Sequence, residues 1–183
     1  MTPRVVVAAV AALLVAFGAW LLRPDDPGPA ARVNGVEIKR EEVTAAVGHA
    51  AGRAAAEGRA FPAKDSDDYR VLERQALDLL VYHEELEQEA RRLGVRVDPE
   101  EVDARLAAAR RQQPAANEEG EVADEAFLRD GIRGSLLYAR IYARVTSAKR
   151  GRAAKNAAMA RWIAAMRARY ADRVEYAGDF RDG

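Results

Sequence analysis

The chain has 183 residues, a formal net charge of zero and no cysteine, which leaves room for one ordinary domain plus an appendage. Without cysteine there is no disulfide framework, thiolate metal site, cysteine nucleophile or lipid-accepting cysteine. Forty alanines inflate the 49% hydrophobic fraction, and alanine favours helix while burying little surface, so thin helical packing is expected rather than a thick core. Charge is unevenly spread. Acids outnumber bases across residues 84–130, and bases dominate residues 144–173 with only Asp172 opposing.

Residues 1–23 read as a signal anchor or a cleaved signal peptide: Arg4 is a short basic lead and residues 5–22 carry no charge. Eighteen helical residues rise about 27 Å, close to the hydrocarbon core of a bilayer, and Trp20 falls where an indole suits the headgroups. Either way the remainder is exported. Residues 24–31, with Pro24, Pro27 and Pro29, read as a stiff linker, and the folded domain is expected over residues 32–181.

Residues 33–38 predict an extended piece around the Asn34-Gly35 turn, followed by a helix over residues 40–56 with Val43 and Val47 on its apolar edge. Gly58 and Pro62 mark a loop, with Phe61 tucked inward. A long central helix then runs to Leu93. Tyr69, Leu72, Ala76, Leu79, Leu86, Ala90 and Leu93 recur at helical spacing, and apolar residues around Leu77 to Tyr82 imply cover on several sides. Gly94 supplies a left-handed stop with Val95 folding back, and Asp98, Pro99 and Glu101 form an N-cap, first-turn proline and capping box for the next helix.

That helix is expected to reach about Arg111, before a polar loop over residues 112–122 whose glutamates lack the ligand spacing of a calcium loop. Asp124 is expected to cap a helix reaching about Val145, with Leu128, Ile132, Leu136, Ile141 and Val145 inward. Gly131 and Gly134 within it predict close approach of another helix. A basic junction, residues 146–156, leads to a last helix over residues 152–170 carrying Met159, Trp162, Ile163, Met166 and Tyr170 on one side. Val174, Glu175 and Tyr176 predict a short strand pairing with residues 33–38, so that the domain ends meet. The fold class is therefore mostly α: about five helices around a long central one, with a two- or three-stranded β element and an N-terminal transmembrane or signal helix.

No catalytic constellation emerges. His83 lies on the apolar stripe of the central helix and reads as a hydrogen-bonded packing residue, since no second histidine follows four positions later. No serine sits in a nucleophile elbow and no glycine-rich phosphate loop is present. Glu84, Glu85, Glu87 and Glu89 read as a solvated helix face with an i,i+4 pair from Glu87 to Arg91. No metal or cofactor is implied, and a neutral exported chain argues against nucleic acid; the basic 144–173 segment is expected to pair with the acidic one.

Residues 32–42 (RVNGVEIKREE), the Glu89-Ala90-Arg91-Arg92-Leu93-Gly94-Val95 helix end, residues 97–102 (VDPEEV) and the closing tryptophan helix with Val174-Glu175-Tyr176 resemble the SurA N-terminal chaperone domain of SurA-, PpiD- and PrsA-like folding factors. Larger members insert a parvulin prolyl isomerase domain before the closing helix, where this chain has only the short junction. The resemblance implies an ATP-independent, extracytoplasmic holdase for unfolded or nascent exported polypeptides, tethered to the cytoplasmic membrane by the N-terminal helix, or periplasmic or secreted if that segment is cleaved. Prolyl isomerase activity is not expected. A dedicated interaction subunit of an envelope complex is the alternative. Phe127, Tyr138, Tyr142, Met159, Trp162 and Met166 are the client-binding candidates, because flexible methionines and flat aromatics suit varied apolar sequences.

Overall fold

The computed structural model describes residues 28–112 and 125–181. In chain order these form β1 (Ala31–Val33), β2 (Val36–Ile38), α1 (Arg40–Ala56), α2 (Asp67–Leu93), α3 (Pro99–Gln112), α4 (Glu125–Thr146), α5 (Arg152–Tyr170), β3 (Val174–Tyr176) and α6 (Gly178–Arg181). The expected N-terminal membrane or signal helix, most of the 112–122 loop and the Asp124 cap lie outside the described residues. Among the described residues no helix is long and apolar enough to cross a membrane.

Asn34 and Gly35 both take positive φ, 51° and 85°, the backbone that a two-residue hairpin needs. The turn sets the β1–β2 register at Val33↔Val36 and Ala31↔Ile38, and β3 pairs antiparallel with the other edge of β1, giving the order β2-β1-β3. The two ends of the domain do meet there. Three-residue strands are too short to stand alone; Gln88 of α2 holds the hairpin by donating to the Val33 carbonyl at 2.9 Å. The Ala30 amide donates to the Ile38 carbonyl and the Ala30 carbonyl accepts from the Ala177 amide, which ties Ala30, at the end of the expected linker, to the sheet. A short helix missed in the sequence, α6, follows β3: Asp179 accepts two bonds from Arg40 at 2.6 and 2.9 Å, beside the Phe180 ring.

Local chemistry explains the helix bounds. The Lys39 amide donates to the Glu42 carboxylate at 2.6 Å to open α1, and Ser66 Oγ accepts from the Tyr69 amide to open α2. At the end of α2, Gly94 adopts φ 68° and the Val95 amide donates back to the Ala90 carbonyl at 2.8 Å. Asp98 then accepts from the Glu100 amide to restart the chain as α3. The Glu101 carboxylate, expected to complete a capping box, accepts from Arg140 of α4 and so fastens α3 to that helix.

The core gathers Val33, Val43, Leu77, Val81, Leu86, Ile141, Met159, Met166 and Tyr170. Two expectations for α2 need correction. Leu79 shares a helix face with Leu86, seven residues on, but it is 52% exposed, because it borders an open groove that α1 lines largely with alanine. Glu85 and Glu89, expected in a solvated face, are 6% and 1% exposed. Cations brought by the fold make this tolerable: Arg92 and Arg169 both donate to Glu89, and Arg167 stands near Glu85. Glu84 and Glu87 are partly buried, Glu87 pairing with Arg91 as expected and with Arg133 at 2.8 Å. The basic segment meets the acidic one through Arg169. Close approach accounts for neither glycine of α4: an added Cβ at Gly134 would make an ordinary contact with the His83 ring at 4.0 Å, and one at Gly131 would face open space.

Candidate functional site

Alanine on α1 decides where the surface opens. Val43 and Val47 anchor α1 against the core, while Ala46 and Ala50 present only methyl groups beside them. The result is a groove of about 490 Å³ between α1, α2 and the first turns of α4, walled by Leu72, Leu79 and Phe127. Phe127 stacks on His49 with ring centroids 3.9 Å apart. The same phenylalanine borders a second apolar hollow of about 650 Å³ between α3 and α4, so Phe127 and Gly131 form a low ridge between the two.

At its other end the groove continues into a polar recess of about 290 Å³, sharing Glu42, Leu80, His83 and Asp130 with it. Burial pushes the His83 imidazole below its ordinary value, against the opposing pull of the Glu87 and Asp130 charges. The groove thus places an apolar floor, a ring stack and an acidic rim side by side. That suits reversible contact with an apolar polypeptide segment.

Of the six residues expected to hold a client, Phe127 lines this groove. Met159 and Met166 are 3% and 0% exposed and belong to the core, with no surface to offer in this fold. Trp162 and Tyr142 are partly buried against that core. Tyr138 is 38% exposed and sits 6.5 Å from the Tyr142 ring, farther along α4. The groove lining that was not among those six is Leu72 and Leu79 on α2 and the alanine face of α1. Their signal lay in the pairing of a small-residue helix face with two leucines seven apart.

The family model for the SurA-like N-terminal domain matches residues 2–129. The chain belongs to the SurA-like N-terminal domain family. The match takes in β1, β2 and α1 to α3 and ends in the second turn of α4, just past Phe127, so the groove walls fall within it. The closing α5 and β3, part of the resemblance read from the sequence, lie beyond it. No curated protein and no solved structure matches the chain. Membership in the SurA-like family points to a chaperone-like or protein-interaction role. No parvulin domain is detected, and five residues, 147–151, join α4 to α5.

Proposed function

We propose that this protein is an ATP-independent holdase acting outside the cytoplasmic membrane, where it keeps unfolded exported chains from aggregating without isomerising their prolines. One observation carries the reading: an open apolar groove walled by Leu72, Leu79 and Phe127, inside the part of the chain that belongs to the SurA-like family. Apolar side chains entering it leave water, worth about 25 cal/mol per Å² of area covered, and the shallow walls permit release without an energy source. The N-terminal apolar segment tethers the holdase to the membrane where exported chains emerge.

The test mixes the full chain, reconstituted in lipid nanodiscs, with a denatured outer-membrane protein diluted into buffer. Light scattering should fall as the holdase is added, and a proline-peptide assay should stay at background. Unchanged aggregation at several-fold excess of the protein would overturn the proposal. A single stoichiometric partner recovered from membranes, in place of many exported chains, would instead assign the groove to one envelope complex.

A further inference from the structure

The groove is electrically polarised along its length. At one end Glu42 and Asp130 form no ion pair among the described residues; Glu42 only accepts the Lys39 amide. Glu37, Glu84 and Glu87 stand around the adjoining recess, already matched by Arg32, Arg91 and Arg133. At the opposite end Arg53, in the last turn of α1, borders both hollows, and Arg105 of α3 borders the second; neither has an anionic partner among the described residues. Between these ends the lining is mostly alanine, leucine and Phe127, with His49 and Gln75 as its uncharged polar members. Low-dielectric walls concentrate the field of such unpaired charges along the groove.

Glu42 and Arg53 stand eleven positions apart on α1, a rise of about 16 Å and therefore about five residues of extended chain. We infer that the groove selects apolar client segments about five residues long that carry a lysine or arginine at one end and an aspartate, glutamate or chain-terminal carboxylate at the other. The cation meets Glu42 and Asp130, the anion meets Arg53 and Arg105, and the apolar residues cover Leu79 and Phe127. Charge order thereby sets the direction in which a segment lies. This inference rests on the holdase reading and names the class of segment that the same groove takes.

Four labelled peptides with one shared apolar centre test it, ending in Lys and Glu, Lys and Lys, Glu and Glu, or Gln and Gln, with binding to the full chain followed by fluorescence anisotropy. The Lys/Glu peptide should bind most tightly, by about two- to fivefold per charged end over the Gln/Gln peptide, the size of an exposed ion pair. High ionic strength should erase that margin. The E42Q/D130N variant should bring the ratio between cation-ended and neutral peptides to about one, because glutamine can still accept the Lys39 amide and keep α1 capped. Arg53→Gln should do the same for the anion-ended peptide. Equal binding of the Lys/Glu and Gln/Gln peptides overturns the polarity and leaves the holdase reading standing. Failure of all four peptides to bind, together with unchanged aggregation, overturns both. Self-association that is reversed by the neutral peptide would make a second copy the occupant and would also overturn the inference.

Discussion

Arg169 of α5 donates to both carboxylate oxygens of Glu89 on α2, Nε at 3.2 Å and Nη2 at 2.7 Å, across eighty residues of chain. Arg92, one turn after Glu89, donates to the same carboxylate at 3.0 and 2.7 Å. This pair clamps the closing helix onto the central one beside Met166 and Tyr170. Removing one partner leaves a buried group short of its counter-charge, whereas removing both leaves none. Arg169→Leu should therefore cost about 1 to 2 kcal/mol in urea unfolding, below the full buried-pair cost because Arg92 remains and the guanidinium is part-exposed. The double variant E89L/R169L should cost less than its single changes combined, by about 1 kcal/mol. Strict additivity would mean that the clamp is absent in solution.

Stability should fall on the acid side in two stages. Burial holds the folded-state His83 below its ordinary 6.5, so the unfolded chain takes up a proton first and stability drops as pH falls below 6.5 toward the folded value. Burial alone would raise the Glu89 carboxyl, but the bonds and charges of Arg92 and Arg169 outweigh it and keep it below 4.5. Its contribution is present above 4.5 and lost as pH falls through the folded value. Glu85 has the opposite sign: burial raises its carboxyl, and the benefit of its neutral form is lost as pH rises through that folded value. Urea titrations across this range should show the upper slope flattened by His83→Gln and the lower one by Glu89→Gln.

Gly94 isolates the energetics of a helix stop. It sits at φ 68°, and an added Cβ would meet nothing within 4 Å, so a substitution is penalised by backbone strain alone. Gly94→Ala should cost about 1 kcal/mol, Gly94→Asn less, and Gly94→Val more, because a branched side chain tolerates the left-handed region worst. Thermal melts of the three variants give the order directly, and equal losses would contradict the strain argument. Client holding should weaken in the same order, since the stop aims α3 at α4.

Surface and core separate cleanly among the apolar residues. Leu79→Ser and Phe127→Ser should weaken aggregation suppression, and the Leu79 change should alter stability by less than about 0.5 kcal/mol because that side chain is half in water. Met166→Ala should cost about 2 to 5 kcal/mol, as a fully buried side chain leaves a cavity, yet retain suppression per folded molecule. Suppression that tracks stability in all three variants would argue against the groove.

The sequence by itself determined the Asn34-Gly35 hairpin turn and most helix bounds: α1 from Arg40 to Ala56, the stop at Gly94 and α5 from Arg152 to Tyr170. Capping groups, left-handed glycines and helical periodicity act through contacts within about five residues, so they can be read locally. Tertiary structure alone decided what lies inside. Glu89 is buried because Arg169 arrives from a helix eighty residues later, and Leu79 is exposed because the alanines of α1 leave a groove open beside it. Met166 fills the core while Phe127 edges the groove, although both are large apolar residues on amphipathic helices. Burial depends on which surfaces distant segments bring together, and periodicity gives the direction of a face without saying how far its cover extends.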